Sequence, residues 1–452
     1  MLPGGKPAAD GWRGYHGGFR SDWDLSPRDT LTVQGDLQEG REGETVTSVF
    51  SASLPLQRTF NDQTRFTAGN LLGRWNHTFS NGSESSLQIY DDYLNRTEFG
   101  ASSPVNTVDV DFHHHLAVGS RHDIVWGFDL RTTSDRIHPG YAISFQPASS
   151  TYNLYSTFFQ DEIAIAQTLS LTLGSKFEHN AYTGFEYEPS AQLVWTPTKR
   201  HSVWASVARA IRQPSRADTQ IRIDQSTFPL PGGLGFGLVV VSGNPHPQAE
   251  QLHDFEIGYR SQINRRVSLA LATFSSFYRH LQTNEPGTPF FALEPGPPHL
   301  VVPLMFDFKA HAHTYGAEAF INWSVTNHWK LSPGYSLLHM SVLGDPTSLD
   351  PTIGRLAGTS PKHQYQVHSS LNLRRNVDWD SNVAYVSRLA TGSIPSYTRL
   401  DSRLGWRIGE FVEVSLTGQN LLTPTHFEFA DGALVGHTLV ERSVFGKVSW
   451  RF

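Results

Sequence analysis

The chain ends with Val444-Phe445-Gly446-Lys447-Val448-Ser449-Trp450-Arg451-Phe452, which alternates between two kinds of side chain and stops on an aromatic ring. Successive side chains of an extended strand point to opposite faces of its sheet. One face suits hydrocarbon and the other suits a water-filled lumen, which is the pattern of a strand in a membrane barrel. The apolar face comprises Val444, Gly446, Val448, Trp450 and Phe452, and the polar face includes Lys447, Ser449 and Arg451.

The same alternation recurs upstream, in segments close to the nine to eleven residues, roughly, that a tilted strand needs to cross a bilayer. Asn106 to Val118 has an apolar row that only His114 interrupts, opposite a polar row of Asp and His. Similar rows occupy residues 367–374, 396–406 and 411–419. Ser202 to Arg212 does not sort cleanly, because Val203 and Trp204 fall on opposite faces.

Composition narrows the class further. The 452 residues are 38% hydrophobic and 12% aromatic, and no apolar run approaches the roughly eighteen residues of a membrane helix. No linker divides the chain into two compositionally different halves, so we expect one large unit. The net charge of −6 argues against a nucleic-acid partner. The absence of cysteine excludes disulfides, zinc-thiolate sites and cysteine nucleophiles.

The connections between strand-like segments alternate between short and long. We count about nineteen strands, with tight turns at Gly119-Ser120-Arg121, Thr196 to Arg200 and Asn264-Arg265-Arg266. Tight turns at one end and extended loops at the other are typical of an outer-membrane barrel. The long connections are Arg41 to Thr64, Thr133 to Ser150, Gln213 to Glu250, Gln282 to Leu300 and Leu343 to Ser360.

Several short motifs resemble those of the barrel of TonB-dependent outer-membrane receptors. Ala208 to Ser215 is similar to the strand-ending motif of that family, and Gly243-Asn244-Pro245 with Glu250-Gln251 resembles the opening of its next strand. Their residues also fit a structural role, because proline removes a ladder donor and glycine and asparagine favour turns. The remaining matches are Phe255 to Arg260, Tyr315 to Glu318 and Gly418-Gln419-Asn420-Leu421-Leu422.

The resemblance implies an all-β fold, an antiparallel transmembrane β-barrel with about 19 of an expected 22 strands. We expect residues 1–10 to be an irregular segment and residues 11–452 to be the barrel domain. Complete members of the family have a signal peptide, a TonB-contacting segment (the TonB box) and a plug domain, and we expect none of these within this sequence. Met1 to Lys6 lacks the apolar core of a secretory signal. An unpaired edge at the first strand is therefore expected, since about three strands are missing.

The best candidate ligand residues form one row on a strand. Asp109, Asp111, His113 and His115 would face the lumen, where they could hold a metal ion or a passing chelate, although a solvated lumen wall is the simpler explanation of the row. His311 and His313, also two apart, are weaker candidates, and we expect them beside a polar face. A third row, of Arg399, Asp401 and Arg403, predicts ion pairs inside the lumen, facing the plug in the architecture of the family. No catalytic constellation is present, so we expect neither an enzyme nor a bound cofactor.

The resemblance implies the barrel portion of an active importer in the cell outer membrane, for a scarce ligand such as a ferric siderophore or another metal chelate. The partners would be outer-membrane lipid, the barrel-assembly machinery acting through Phe452, and the TonB complex if a plug and TonB box exist upstream. A passive porin-like channel or a non-functional fragment is the alternative. A soluble propeller would need repeats that the sequence lacks. Loop aromatics that could touch a ligand are Tyr141, Phe145, Phe228, Phe236, Phe290 and Phe291.

Overall fold

The computed structural model describes residues 8–49, 57–233, 235–293, 297–428 and 438–451, and consists almost entirely of strands. The first eleven are β1 (Trp12–Ser26), β2 (Asp29–Val49), β3 (Gln57–Thr78), β4 (Glu84–Glu98), β5 (Ala101–Val118), β6 (His122–Arg136), β7 (Ile143–Phe145), β8 (Ser149–Ala166), β9 (Leu169–Asn180), β10 (Gly184–Thr198) and β11 (His201–Arg212). Helix α1 (Arg216–Gln220) follows, and then β12 (Ile221–Pro229), β13 (Phe236–Ser242), β14 (Glu250–Asn264), β15 (Val267–Pro286), β16 (Phe290–Ala292), β17 (His299–Ser324) and β18 (Trp329–Gly344). The last strands are β19 (His363–Arg374), β20 (Val377–Val386), β21 (Tyr397–Ile408), β22 (Val412–Gln419), β23 (Thr425–His426), β24 (Val440–Glu441) and β25 (Ser443–Trp450).

Nineteen of the described strands form a continuous antiparallel meander, in which every strand between the first and the last pairs with the previous and the next long strand. The other six are short and lie in the connections. This arrangement confirms the predicted barrel-type sheet and its strand count. The nineteen are β1–β6, β8–β11, β14, β15, β17–β22 and β25.

The two faces of this sheet differ as the alternation predicts. The outer face carries large apolar side chains that stay exposed, among them Leu71, Tyr155, Ile257 and Leu416. The inner face carries charged side chains in ion pairs, such as Asp109 with Arg131 across β5 and β6. Lipid is a suitable solvent for the outer face, whereas the inner face requires water.

The ambiguous segment around Trp204 is also a regular strand, β11. Val203 is opposite Tyr259 on the outer face, and Trp204 points inward opposite Gly258. A Cβ atom on Gly258 would overlap the indole ring of Trp204. The glycine on β14 therefore makes room for a bulky apolar side chain on the inner face, and this pairing cannot be read from either strand alone.

The two ends of the sheet are unequal. At one end, here termed the turn end, short turns join the strands, such as Lys199-Arg200 and Arg265-Arg266. The opposite, loop end carries the long connections. The irregular loop expected from Arg41 to Thr64 is wrong for its described part: β2 continues to Val49, and Val49 pairs with Gln57 of β3. The ladder persists because its alternation continues, which buries Val46 and packs Val49 against the other connections.

The other long connections contain short elements that the sequence analysis treats as loop. β12 pairs with β7 and β13, and β13 pairs in parallel with β17 over Gly237 to Ser242. β16 pairs with β17, and a 3₁₀ turn at Ile353–Gly358 packs near the end of β18. The connections thus extend the sheet beyond the membrane-spanning part.

The first and last long strands each have one neighbour. Among the described residues, β1 pairs with β2 and β25 pairs with β22, and no ladder joins β1 to β25. Within the described part of the chain, the first strand thus has a ladder on one side, while closure of the sheet into a complete barrel stays a prediction.

Candidate functional site

A small hydrophobic core holds the connections of the loop end together. Its buried residues come from four different connections of the chain, so the connections pack on one another rather than extending separately into water. Burying apolar area in this way contributes roughly 25 cal/mol per Å². The members are Val49, Ala142, Leu238, Val240 and Val301, with Phe236 and Ala292 against them. We refer to this packed assembly of connections as the roof.

The family-like motifs meet where the longest connection leaves and rejoins the sheet. Arg212, at the end of β11, donates from Nε to Glu250 Oε2 at 2.8 Å and from Nη2 to Glu250 Oε1 at 2.9 Å. It also reaches Asp218 at 3.3 Å. Asn244 donates its backbone N–H to the Asp218 carbonyl. These motifs therefore fasten the base of the roof, as the structural interpretation of the sequence predicts.

Helix α1 links the roof to a second connection. Ser215 caps the helix in a reciprocal box with Asp218. Arg216 is buried, forms an ion pair with the equally buried Asp135 of β6, and lies with its guanidinium 5.2 Å from the centre of the Phe145 ring. Removing either partner would leave the other as an unpaired buried charge, so the pair stabilises the fold only when both are present.

Tyr182 lies at the loop end in the turn between β9 and β10, with its ring 5.7 Å from that of Tyr152. Burial raises the pKa of the Tyr182 hydroxyl to about 12. The hydroxyl therefore stays neutral in the physiological range.

The six loop aromatics fall into two groups. Phe145 is engaged by Arg216, Tyr141 meets Phe60 edge-on at 5.4 Å, and Phe236 stacks on buried His299 at 5.0 Å. Their rings mainly hold the roof together. The other three, Phe228, Phe290 and Phe291, keep large exposed surfaces, and Phe291 is 72% exposed. This second group therefore presents the most exposed rings to an incoming ligand.

The structure places Asp109, Asp111, His113 and His115 on the inner face, as predicted. Asp109 is buried and bonded to Arg131 at 2.7 Å. His113 lies 3.6 Å from Asp111, and His115 contacts Asp123. No group of three or more His, Asp or Glu side chains in the described part of the chain converges as a metal site would require. A role of the row toward a metal chelate stays a prediction.

The polar face expected beside His311 and His313 is wrong for His313. It lies on the outer face, stacked on Phe277 at 4.3 Å between ring centres, and shares a hydrogen bond with Ser275. His311 points the same way and meets Asp345 at 3.2 Å. The error arises because residues two apart share a face, but the pair alone does not indicate which face is wet.

The predicted row of Arg399, Asp401 and Arg403 forms ion pairs, in part with other strands. Arg399 contacts Asp401 at 2.9 Å and Glu428 at 3.4 Å. Arg403 lies between Asp380 of β20 and Glu413 of β22. Contact of this row with a plug stays a prediction.

Asn420 explains the motif that follows β22. It is fully buried and adopts a left-handed conformation with φ of 53°, which asparagine tolerates better than most residues. Its backbone N–H donates to Asp401 Oδ1 at 2.9 Å, and its side-chain amide reaches the Val440 carbonyl. Phe452, the predicted barrel-assembly signal, lies outside the described residues.

Comparison with known proteins identifies the family. Residues 4–421 match the family described as TonB dependent receptor-like, beta-barrel. A curated relative is the iron-regulated outer membrane virulence protein of Vibrio cholerae serotype O1, which is 22% identical over 281 residues. That match covers 59% of this chain and 40% of the relative's length.

Solved structures share the fold. The siderophore receptor PirA from Acinetobacter baumannii has a TM-score of 0.74 at 11% identity, covering 98% of this chain and 72% of that chain. A variant of the ferric enterobactin receptor PfeA from Pseudomonas aeruginosa, in complex with enterobactin, has a TM-score of 0.73 at 15% identity, with 99% and 72% covered.

The chain belongs to the TonB-dependent receptor-like β-barrel family. Its location is accordingly the outer membrane, with the loop end outward as in other outer-membrane barrels. The family and the fold are those of transport receptors rather than enzymes.

Proposed function

We propose that this chain is the barrel portion of an outer-membrane active transporter, which takes up a scarce ligand such as a ferric siderophore or another metal chelate. In the complete protein, energy for uptake would come through TonB. The observation that carries the proposal is the roof, a packed set of connections over the outward end of the barrel.

A roof with its own core favours selective capture over free diffusion. Buried Val49, Leu238 and Val301 fix connections that would be separate loops in an open pore, and the Arg212–Glu250 bonds fasten their base. The exposed rings of Phe228, Phe290 and Phe291 offer apolar contacts to a ligand at this end. Pockets that combine rings with a few fixed polar groups are usual for small-molecule binding.

The names of similar proteins support the ligand class. One relative is described as iron-regulated, and the structural neighbours are described as receptors for siderophores and for ferric enterobactin. An iron chelate is therefore the first ligand to test.

The alternative is a passive porin-like channel or a non-functional barrel fragment. The unpaired edges of β1 and β25 favour it, because an open edge in lipid leaves backbone groups without partners. The roof argues against the porin-like form.

The test is uptake of radiolabelled iron by a Gram-negative strain that lacks its own siderophore receptors and expresses the full-length protein. The labelled chelates would be ferric catecholates and ferric hydroxamates, each with and without an intact tonB gene. We expect uptake of one class only, and only with TonB. Uptake that survives loss of TonB would support the channel, and no uptake of any chelate would support the fragment.

A variant pair localises the binding step. The double change Phe290→Ala and Phe291→Ala should reduce uptake of the transported chelate several-fold. Leu349→Ala is a matched control, since this side chain is 69% exposed in a different connection. Equal loss in both variants would mean that the rings of β16 have no special role.

A further inference from the structure

Three arginines lie side by side near the start of the chain. Arg13 on β1 is directly opposite Arg41 on β2, and Arg41 is directly opposite Arg65 on β3. Residues an even number of positions apart on a strand share a face, so Arg41 lies on the same face as exposed Leu37, and Arg65 on the same face as exposed Leu71. This is the lipid-facing side. All three are exposed. We refer to them as the arginine row.

The arginine row lies at the outer membrane interface. Arg41 is twelve residues beyond Asp29, the start of β2 at the turn end. At about 3.4 Å per residue and a tilt of about 40°, this rise is roughly 30 Å, a little more than the apolar band of a barrel, about 25 Å. Tyr15, two residues from Arg13 on the same face, occupies the level where aromatic rings border the head groups.

The row has no counter-charge in contact with it. Among the described residues, no ion pair or side-chain hydrogen bond engages any of the three arginines, and Glu39 is the nearest acidic residue on this face. Like charges directly opposite one another across strands destabilise a sheet. The three cations and one carboxylate leave a net charge of +2 around a groove of about 420 Å³, lined by Arg13, Tyr15, Glu39, Arg41, Arg65 and Thr67.

We propose that the arginine row binds the phosphate groups of lipid head groups in the outer leaflet. Guanidinium groups bind phosphate oxygens in pairs of hydrogen bonds, and an anion between them removes their mutual repulsion. The occupant is a lipid rather than a free anion because the groove opens beside the acyl-chain surface, directly above Leu37. Basic clusters at the level of head groups bind anionic lipids in this way. The proposal is independent of any transported ligand.

The experiment compares lipid retained by the full-length protein after purification from outer membranes in mild detergent. The test variant combines Arg41→Gln with Arg65→Gln. The matched control is Arg96→Gln: Arg96 on β4 is next to Thr97, the residue opposite Arg65, but points to the inner face. Lipid phosphate per protein is measured, and folding is checked by heat-modifiable mobility in gels.

A second measurement uses the wild-type protein alone, so it does not depend on variants that fold. Delipidated protein receives lipid A with both phosphates, the same lipid after phosphatase treatment, or inorganic phosphate. Thermal unfolding is then followed in each sample.

We expect the double variant to lose at least about threefold of its bound lipid phosphate, the control to retain it, and only phosphorylated lipid A to raise the unfolding temperature. Retention in the double variant, or equal loss in the control, would overturn the proposal. Equal stabilisation by dephosphorylated lipid would assign the effect to acyl chains. Equal stabilisation by inorganic phosphate would assign it to free anions, and either result would also overturn the proposal.

Discussion

Arg212 and Glu250 join the two ends of the longest connection through paired hydrogen bonds of 2.8 and 2.9 Å, although 38 residues separate them along the chain. Arg212 is nearly half exposed and Glu250 is largely covered. Because the bonds are charge-assisted but partly open to solvent, we assign them about 1–2 kcal/mol.

Arg212→Met should therefore loosen the base of the roof. Amide hydrogen exchange at Gly243 and Asn244 should rise about 5- to 30-fold, which corresponds to the same free energy. Arg222→Met is the control, because Arg222 pairs with Asp224 in the same connection but away from the junction. Unchanged exchange in Arg212→Met would show that the Arg212–Glu250 bonds do not hold the base of the roof in place.

Glu285 should make one connection sensitive to acid. Burial would raise its pKa, but hydrogen bonds from the Ser348 hydroxyl at 2.6 Å and the Leu349 amide at 2.7 Å outweigh burial and hold the pKa of Glu285 below its ordinary value. A lowered folded-state pKa means that the stabilisation exists above the ordinary value of 4.5 and is lost as the pH falls through the folded pKa.

This can be measured with a spin label on Leu349→Cys, since the chain contains no other cysteine. The label should be ordered at neutral pH and become mobile only as the pH falls below the ordinary glutamate value of 4.5. With Glu285→Ala it should be mobile throughout, and a label that stays ordered there would contradict the assignment.

Asp91 is an acidic residue on the lipid-facing side of the sheet. It lies between outward Ile89 and Tyr93 and is opposite outward Leu71 and Val108. A carboxylate at this depth costs less than the roughly 2–4 kcal/mol of a buried cation, so Asp91→Leu should stabilise the barrel by about 1–2 kcal/mol. Urea unfolding in phospholipid vesicles tests this. Asp92→Leu, at the same depth on the inner face, should give no gain.

Arg403 holds two acidic neighbours together on the inner face. Arg403→Met would leave Asp380 and Glu413 without their shared cation, at a cost of about 1–3 kcal/mol. The temperature at which the folded gel band disappears should fall by several degrees. Adding Asp380→Asn should restore part of the loss, and no recovery would argue that the packing of Arg403 matters more than its charge.

Much of the membrane-spanning part could be predicted because the alternation of apolar and polar side chains lies within each single strand. Alternation over Asn106 to Val118 was enough to assign a strand and both of its faces, and the match of nineteen strands follows from repeating that step. Trp204 was ambiguous because its partner Gly258 is 54 positions away, and a single strand carries no information on its neighbour.

The loop end was less predictable for the same physical reason. The continuation of β2 to Val49 depends on packing with Leu238 and Val301, which are distant in sequence. The face of His313 cannot be predicted from the sequence, because histidine is compatible with either face. Of the six loop aromatics, only the folded roof separates those that pack inside it from Phe228, Phe290 and Phe291.

The meander has an odd number of strands, and this limits how its two edge strands can be joined. Since every neighbour reverses direction, β1 and β25 both descend from the cell surface toward the periplasm. Placed next to each other, they would have to bond as parallel partners, with the slanted geometry of that ladder. If all neighbours are to be antiparallel, one or three further strands must lie between β1 and β25, because the first and the last of these must both ascend. Two further strands would always leave one parallel pair.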